Sequence, residues 1–149
     1  MLSDALNEES IKLNVECTNW EDAIREAGNV LYKNKIITKE YIENTINGTK
    51  ELGPYIVIAK GVAMPHATTN IGVLKSGISL ITLKEPIEFG NKENDPVYYV
   101  FMIATSDMET HISILSNLSD LLQKQEFYNI LESANSPSDI IEYIKTNEK

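Results

Sequence analysis

Along "SIKLNVEC", Ile11, Leu13 and Val15 alternate with polar residues, and this two-residue period predicts a half-buried strand. Trp20, Ala23, Ile24, Ala27 and Leu31 then fall at helical spacing, which predicts a helix over about residues 19–33. Thr18 with Glu21 three residues on has the spacing of a capping box at its start. "ITKEYIENTINGTKELG" predicts a second helix, begun near Thr38 and broken between Gly48 and Gly53.

From Pro54 the pattern changes. "PYIVIA" is a short β-branched apolar strand, and "GVAMP" is a second, ended by proline. "SGISLITL" predicts a strong strand with Ile78, Leu80 and Thr82 on one face. "DPVYYVFMIAT" is a continuous apolar run, as in a central strand covered on both faces, with Tyr98, Tyr99 and Phe101 in the core. Helical spacing returns in "HISILSNLSDLLQ", where His111, Leu115, Leu118 and Leu122 form one inward stripe. "QEFYNILESA" predicts a short helix. Ser136 and Pro137 then supply the cap and first turn of a last one carrying Ile140, Ile141 and Ile144. Helices at both ends of a block of strands imply an α/β fold, and the uneven separation of the strands favours a mixed sheet.

A chain of 149 residues suits one domain, residues 1–149, with a real core. No apolar stretch approaches a membrane span, and "MLSDALNEES" lacks the pattern of a secretory leader, so the expected location is cytoplasmic with no membrane insertion. The net charge of −9, with no basic cluster, argues against nucleic acid and favours a basic protein partner. The single cysteine, Cys17, excludes an internal disulfide and a cysteine-based zinc site. Followed by "TNW" rather than a glycine-rich turn, it reads as a small core residue.

The candidate chemistry lies in "KGVAMPHATTNIG". Pro65 fixes its own φ and pushes Met64 toward an extended conformation, so the strand ends in a stiff exit that displays His66. Ala67, Thr68 and Thr69 leave the ring uncrowded. The other histidine, His111, lies in the first turn of its helix, just behind the long apolar strand, where it can reach the end of the sheet. Singly, each has a plain structural explanation. Together they suit phosphoryl transfer, in which a neutral imidazole nitrogen attacks phosphorus while a hydrogen bond to the other nitrogen sets the tautomer. The transition state spreads charge over three oxygens, which a second imidazole, a hydroxyl or backbone amides stabilise. His111 is the candidate for that imidazole, and Thr68 and Thr69 are further candidates. Asp107 and Glu109 are placed to orient His111 or simply to favour the helix start. No glycine-rich nucleotide loop is present, so the donor is expected to be a protein rather than ATP, and no cofactor is implied. Glu88, Glu93 and Asp95 read as a solvated turn, while Met64 and Met102 are candidates for the edge of the site, with core packing the stronger reading of Met102.

The ordered set "GPYIVIAKGVAMPHA", "GVLKSGISLITLKEPIEFG", "NDPV" and "THISIL" resembles the Enzyme IIA proteins of the bacterial phosphotransferase system, of the mannitol/fructose type and closest to the ascorbate branch. The resemblance runs from about Glu16 to the C-terminus. It implies a mixed sheet flanked by helices on both faces. It also implies that His66 accepts a phosphoryl group from HPr and passes it to a cysteine of Enzyme IIB, which serves the membrane component Enzyme IIC. His111 matches the family's second active-site histidine. The mannitol branch carries an arginine before the Pro-His pair. Gapless counting puts Lys50 there, and we assign Lys50 no catalytic role. Cys17, without a following phosphate loop, separates this chain from the Enzyme IIB type. Two rival readings are a regulatory protein of the same fold, whose phosphorylation state controls partner binding, and a metal-dependent hydrolase using His66, His111 and nearby acids. The sequence names no metal ligand set.

Overall fold

The computed structural model describes residues 2–148. Its elements are α1 (Leu2–Ala5), a 3-10 turn (Glu8–Ser10), β1 (Ile11–Val15), α2 (Trp20–Lys33), α3 (Lys39–Leu52), β2 (Val57–Ala59) and β3 (Val62–Ala63). They continue with β4 (Gly77–Ile87), β5 (Val97–Ala104), α4 (Met108–Leu121), α5 (Gln125–Ser133) and α6 (Pro137–Asn147). The strands form one mixed sheet in the order β1-β4-β5-β3-β2. β4 and β5 are antiparallel, β1 is parallel to β4, and β3 is parallel to β5.

Successive residues of a strand face opposite ways, and here both faces are covered. Val100, Met102 and Ala104 of β5 join Ile81 and Leu83 of β4 beneath α2 and α3, whose Ala23, Ile24, Ala27, Leu31 and Ile46 complete that cluster. Phe101 and Ile103 join Ile78 and Leu80 beneath α4, α5 and α6, with Leu118, Phe127 and Ile144. Phe101 is fully buried, which is worth roughly 1.5–3 kcal/mol relative to exposure. The layers are knit by close approaches. A Cβ on Gly28 of α2 would stand 2.6 Å from Ile42 Cγ1 of α3, so only glycine lets these helices touch there.

Three local expectations change. The cap of α2 is Asn19 rather than Thr18: Asn19 Oδ1 accepts from the Asp22 amide at 2.8 Å, and the Thr18 amide donates to Asp22 Oδ2 at 3.1 Å. Asp22 returns its carboxylate to the Thr18 amide, the residue before the cap, so the capping box that Thr18 and Glu21 suggested is not formed. The first strand expected after Pro54 begins only at Val57. Tyr98 is not core but 45% exposed. The amides of Tyr98 and Tyr99 both donate to the Gly61 carbonyl, at 2.8 and 3.0 Å. Two residues opposite one make a bulge, and the extra residue turns outward. The acidic turn is as expected in kind: Asp95 accepts from the Phe89 and Gly90 amides at 2.9 and 2.8 Å.

Candidate active site

The site is built where two neighbouring strands leave the sheet. Because β3 and β5 run parallel, with Val62 opposite Tyr99 and Ala63 opposite Val100, both exit at the same rim. Pairing continues one step past β3. The Met64 amide donates to the Ile56 carbonyl at 2.7 Å, and the Ile103 amide donates to the Pro65 carbonyl at 2.9 Å. The peptide before His66 is thereby held from both sides. β5 then leads through Thr105 and Ser106 into α4, whose first turn carries His111. Residues 45 apart in sequence meet: the His66 and His111 ring centroids are 5.4 Å apart, with the planes at 58°.

His66 is half-buried, and its Nδ1 lies 2.8 Å from the Met64 carbonyl oxygen. A carbonyl only accepts, so Nδ1 carries the proton and Nε2 is left with the lone pair. The Tyr55 ring meets His66 edge-on at 5.7 Å, and its hydroxyl donates to the His66 carbonyl at 3.3 Å. His111 Nδ1 lies 3.4 Å from Thr105 Oγ1. Burial, and secondarily the neighbouring His66, push the His111 pKa below its ordinary value and favour the neutral ring. In the tautomer in which the Thr105 hydroxyl donates to Nδ1, the proton sits on Nε2, a donor for an incoming anion.

Both histidines line a cavity of about 490 Å³, with Thr68, Thr69 and Asn70 on one side and Ser106, Asp107 and Met108 on the other. Its lining holds no lysine or arginine, so an anion here meets neutral donors. Asp107 lies at the edge, but its carboxylate caps α4. It accepts from the Thr110 amide at 2.7 Å and hydroxyl at 2.9 Å, which hold its pKa below the usual carboxylate value. Glu109 is exposed and outside the cavity lining. The group on His111 Nδ1 is therefore Thr105 and neither carboxylate. A helix N-cap draws the short aspartate to the backbone amides before it can reach a ring.

Met64 contributes only its carbonyl, because its side chain is buried in the second cluster, and Met102 is core. The apolar edge is Met108, 69% exposed, which the helical spacing did not single out. Thr105, placed after the apolar run, and Tyr41, on the inward face of α3, were also missed; the polar exit from a central strand was the available signal for Thr105. Lys50 is not part of the lining and sits 3.8 Å from Glu21. Cys17 is partly buried, and burial, with Asp22 and Glu26 nearby, pushes its thiol up to about 11, which suppresses a reactive thiolate. Among the described residues no group of three or more His, Cys, Asp or Glu side chains is placed to hold a metal ion. Among the described residues no helix is long and apolar enough to cross a membrane.

The ascorbate-specific PTS system EIIA component of Escherichia coli K12 is 34% identical over 98% of this chain and 97% of its own. The mannitol-specific cryptic phosphotransferase enzyme IIA of Escherichia coli is 33% identical, with a TM-score of 0.85 over 98% of this chain and 99% of that one. The enzyme IIA for mannitol of Escherichia coli, solved in complex with phosphorylated enzyme IIB, is 26% identical, with a TM-score of 0.83 over 95% and 97% of the two chains. Residues 4–147 match the family model for the EIIA 2 component of the phosphoenolpyruvate-dependent sugar phosphotransferase system, and the chain belongs to that family.

Proposed function

We propose that His66 is the phosphoryl acceptor of this EIIA component and that His111 steadies the group in transit. One observation carries the reading: the Nδ1 contact to the Met64 carbonyl, which leaves Nε2 as the only nucleophilic nitrogen of a ring that faces a second imidazole. The Nε2 lone pair forms a bond to phosphorus as the nitrogen–phosphorus bond of a phosphohistidine carrier, HPr, breaks. The carrier's imidazole keeps that bonding pair. The ring of His66 then gains positive charge, which the Met64 carbonyl offsets through Nδ1–H. The three equatorial oxygens face His111 Nε2–H and the hydroxyls of Thr68 and Thr69. With no fixed cation in the lining, the phosphoryl group is held lightly, which suits onward release. A cysteine thiolate of Enzyme IIB then displaces it, and His66 regains its lone pair.

The onward recipient rests on the solved complex of a related enzyme IIA with phosphorylated enzyme IIB. The ascorbate-specific relatives favour an ascorbate system, acting with a membrane Enzyme IIC, and a cytoplasmic location. Incubation with phosphoenolpyruvate, Enzyme I and HPr is expected to place acid-labile label on the protein. His66→Ala abolishes that label while the melting temperature stays near wild type, because the side chain is only half-buried. Label that persists in His66→Ala, or none on the wild type, refutes the reading. Chasing the label onto IIB proteins of the ascorbate and mannitol systems identifies the recipient.

A further inference from the structure

Tyr41 lies in the first turn of α3, is 2% exposed, and forms the floor of the cavity. Its hydroxyl donates to the Ile103 carbonyl at 2.7 Å and accepts from the Ala67 amide at 3.1 Å. The Ile103 amide meanwhile holds the Pro65 carbonyl at 2.9 Å. One residue of the central strand therefore grips the chain on both sides of His66, directly at 65 and through the phenol at 67. We propose that Tyr41 is a positioning residue of the transfer site, whose hydroxyl locks the His66 loop so that the ring keeps its bond to Met64 and presents Nε2 toward His111. The proposal rests on the phosphoacceptor reading given above.

A core tyrosine could owe its place to packing alone, but two features argue for more. The hydroxyl serves backbone groups on different segments, 26 and 62 residues away, and so ties the loop to the sheet rather than α3 to itself. Burial also pushes its pKa up to about 12, so the phenol keeps the proton it donates to the Ile103 carbonyl throughout the working range, while its oxygen accepts from the Ala67 amide. That proton is committed to the Ile103 carbonyl, which excludes Tyr41 as a general acid. Its effect on chemistry is exerted through the loop.

Tyr41→Phe keeps the ring and deletes both bonds. With the Ala67 amide released, the loop gains freedom and the Nδ1–Met64 contact is populated less. Small displacements of a reacting atom cost rate steeply, and a loss of about 10- to 100-fold in single-turnover phosphorylation by phospho-HPr is expected. The apparent affinity for HPr stays unchanged, since Tyr41 is covered. The amplitude, which counts folded acceptor, also stays near wild type. Nitrogen-15 spectra of the His66 ring should move from a single Nδ1-protonated form toward a tautomer mixture. Phe127→Leu, in the cluster on the other face of the sheet, serves as the control for lost stability: it lowers the melting temperature and leaves rate and ring spectrum as in wild type. A wild-type rate or a wild-type ring spectrum in Tyr41→Phe overturns the proposal, as does a Phe127→Leu variant that reproduces both changes. The ring spectrum needs no phosphoryl donor. A shifted tautomer without label on the wild type would therefore overturn the acceptor reading, and the positioning role of Tyr41 in transfer with it, while leaving the mechanical tie intact.

Discussion

Removing the second imidazole, His111→Ala, deletes the ring that faces His66 in the cavity, at a centroid separation of 5.4 Å. A preorganised donor aimed at developing oxyanion charge contributes about 2.7–4 kcal/mol, or a factor of roughly 10²–10³ in rate. Two features of the site decide where in that range the loss falls. The lining has no lysine or arginine to substitute for the lost donor, which argues for a full effect. Against that, burial keeps His111 neutral, so it offers an N–H dipole rather than a cation. We expect the lower end, about 10²-fold, in single-turnover transfer from phospho-HPr read by rapid quench. Stability should change little. The ring is only half-buried and its bond to Thr105, at 3.4 Å, is long, so the cost is at most about 0.5–1 kcal/mol. His111→Gln restores an N–H donor on a side chain of similar reach and should recover roughly tenfold of the loss. A rate for His111→Ala within about threefold of wild type, with an unchanged melting curve, would refute the assigned role.

Further outcomes follow from the same geometry. Because the folded-state pKa of His111 lies below its unfolded value near 6.5, the unfolded chain binds more protons in the window between the two. This part of the stability is present above that window and is lost as pH falls through it. Urea midpoints measured on both sides of the window should show the loss, and His111→Gln should flatten it. Phosphorylation of His66 places negative charge beside His111 and should raise its pKa, visible as an upward shift in its proton NMR titration. Gly72 has φ of +88°, and a Cβ there would lie 2.6 Å from Thr38 Oγ1 and 3.1 Å from the Tyr41 amide nitrogen. Gly72→Ala should therefore cost about 2 kcal/mol, read as a melting point lower by roughly 4–8 °C.

The apolar periods announced most elements because a helix or strand face is written within a dozen residues. The two-sided burial of β5 was legible as an uninterrupted apolar run, and so were the inward residues of α2 and α6. The display of His66 behind Pro65, and the place of His111 in a first helical turn, were equally local. The family resemblance, carried by ordered motifs, added the roles that periodicity does not encode.

What lay beyond a local window needed the folded chain. The parallel pairing of β3 with β5 brings the two histidines to one rim, and no pattern within either segment specifies that neighbour. The bulge that turns Tyr98 outward depends on the Gly61 carbonyl, in the turn between β2 and β3. Which nitrogen of His66 is free, which hydroxyl meets His111, and the tie through Tyr41 are all matters of hydrogen-bond partners. Such partners are selected by tertiary contact, because a polar side chain has many possible mates in sequence and only packing brings one of them within 3 Å or so. The residue types were thus the sequence's own contribution, while the protonation states and angles that suit them to phosphoryl transfer belong to the assembled sheet.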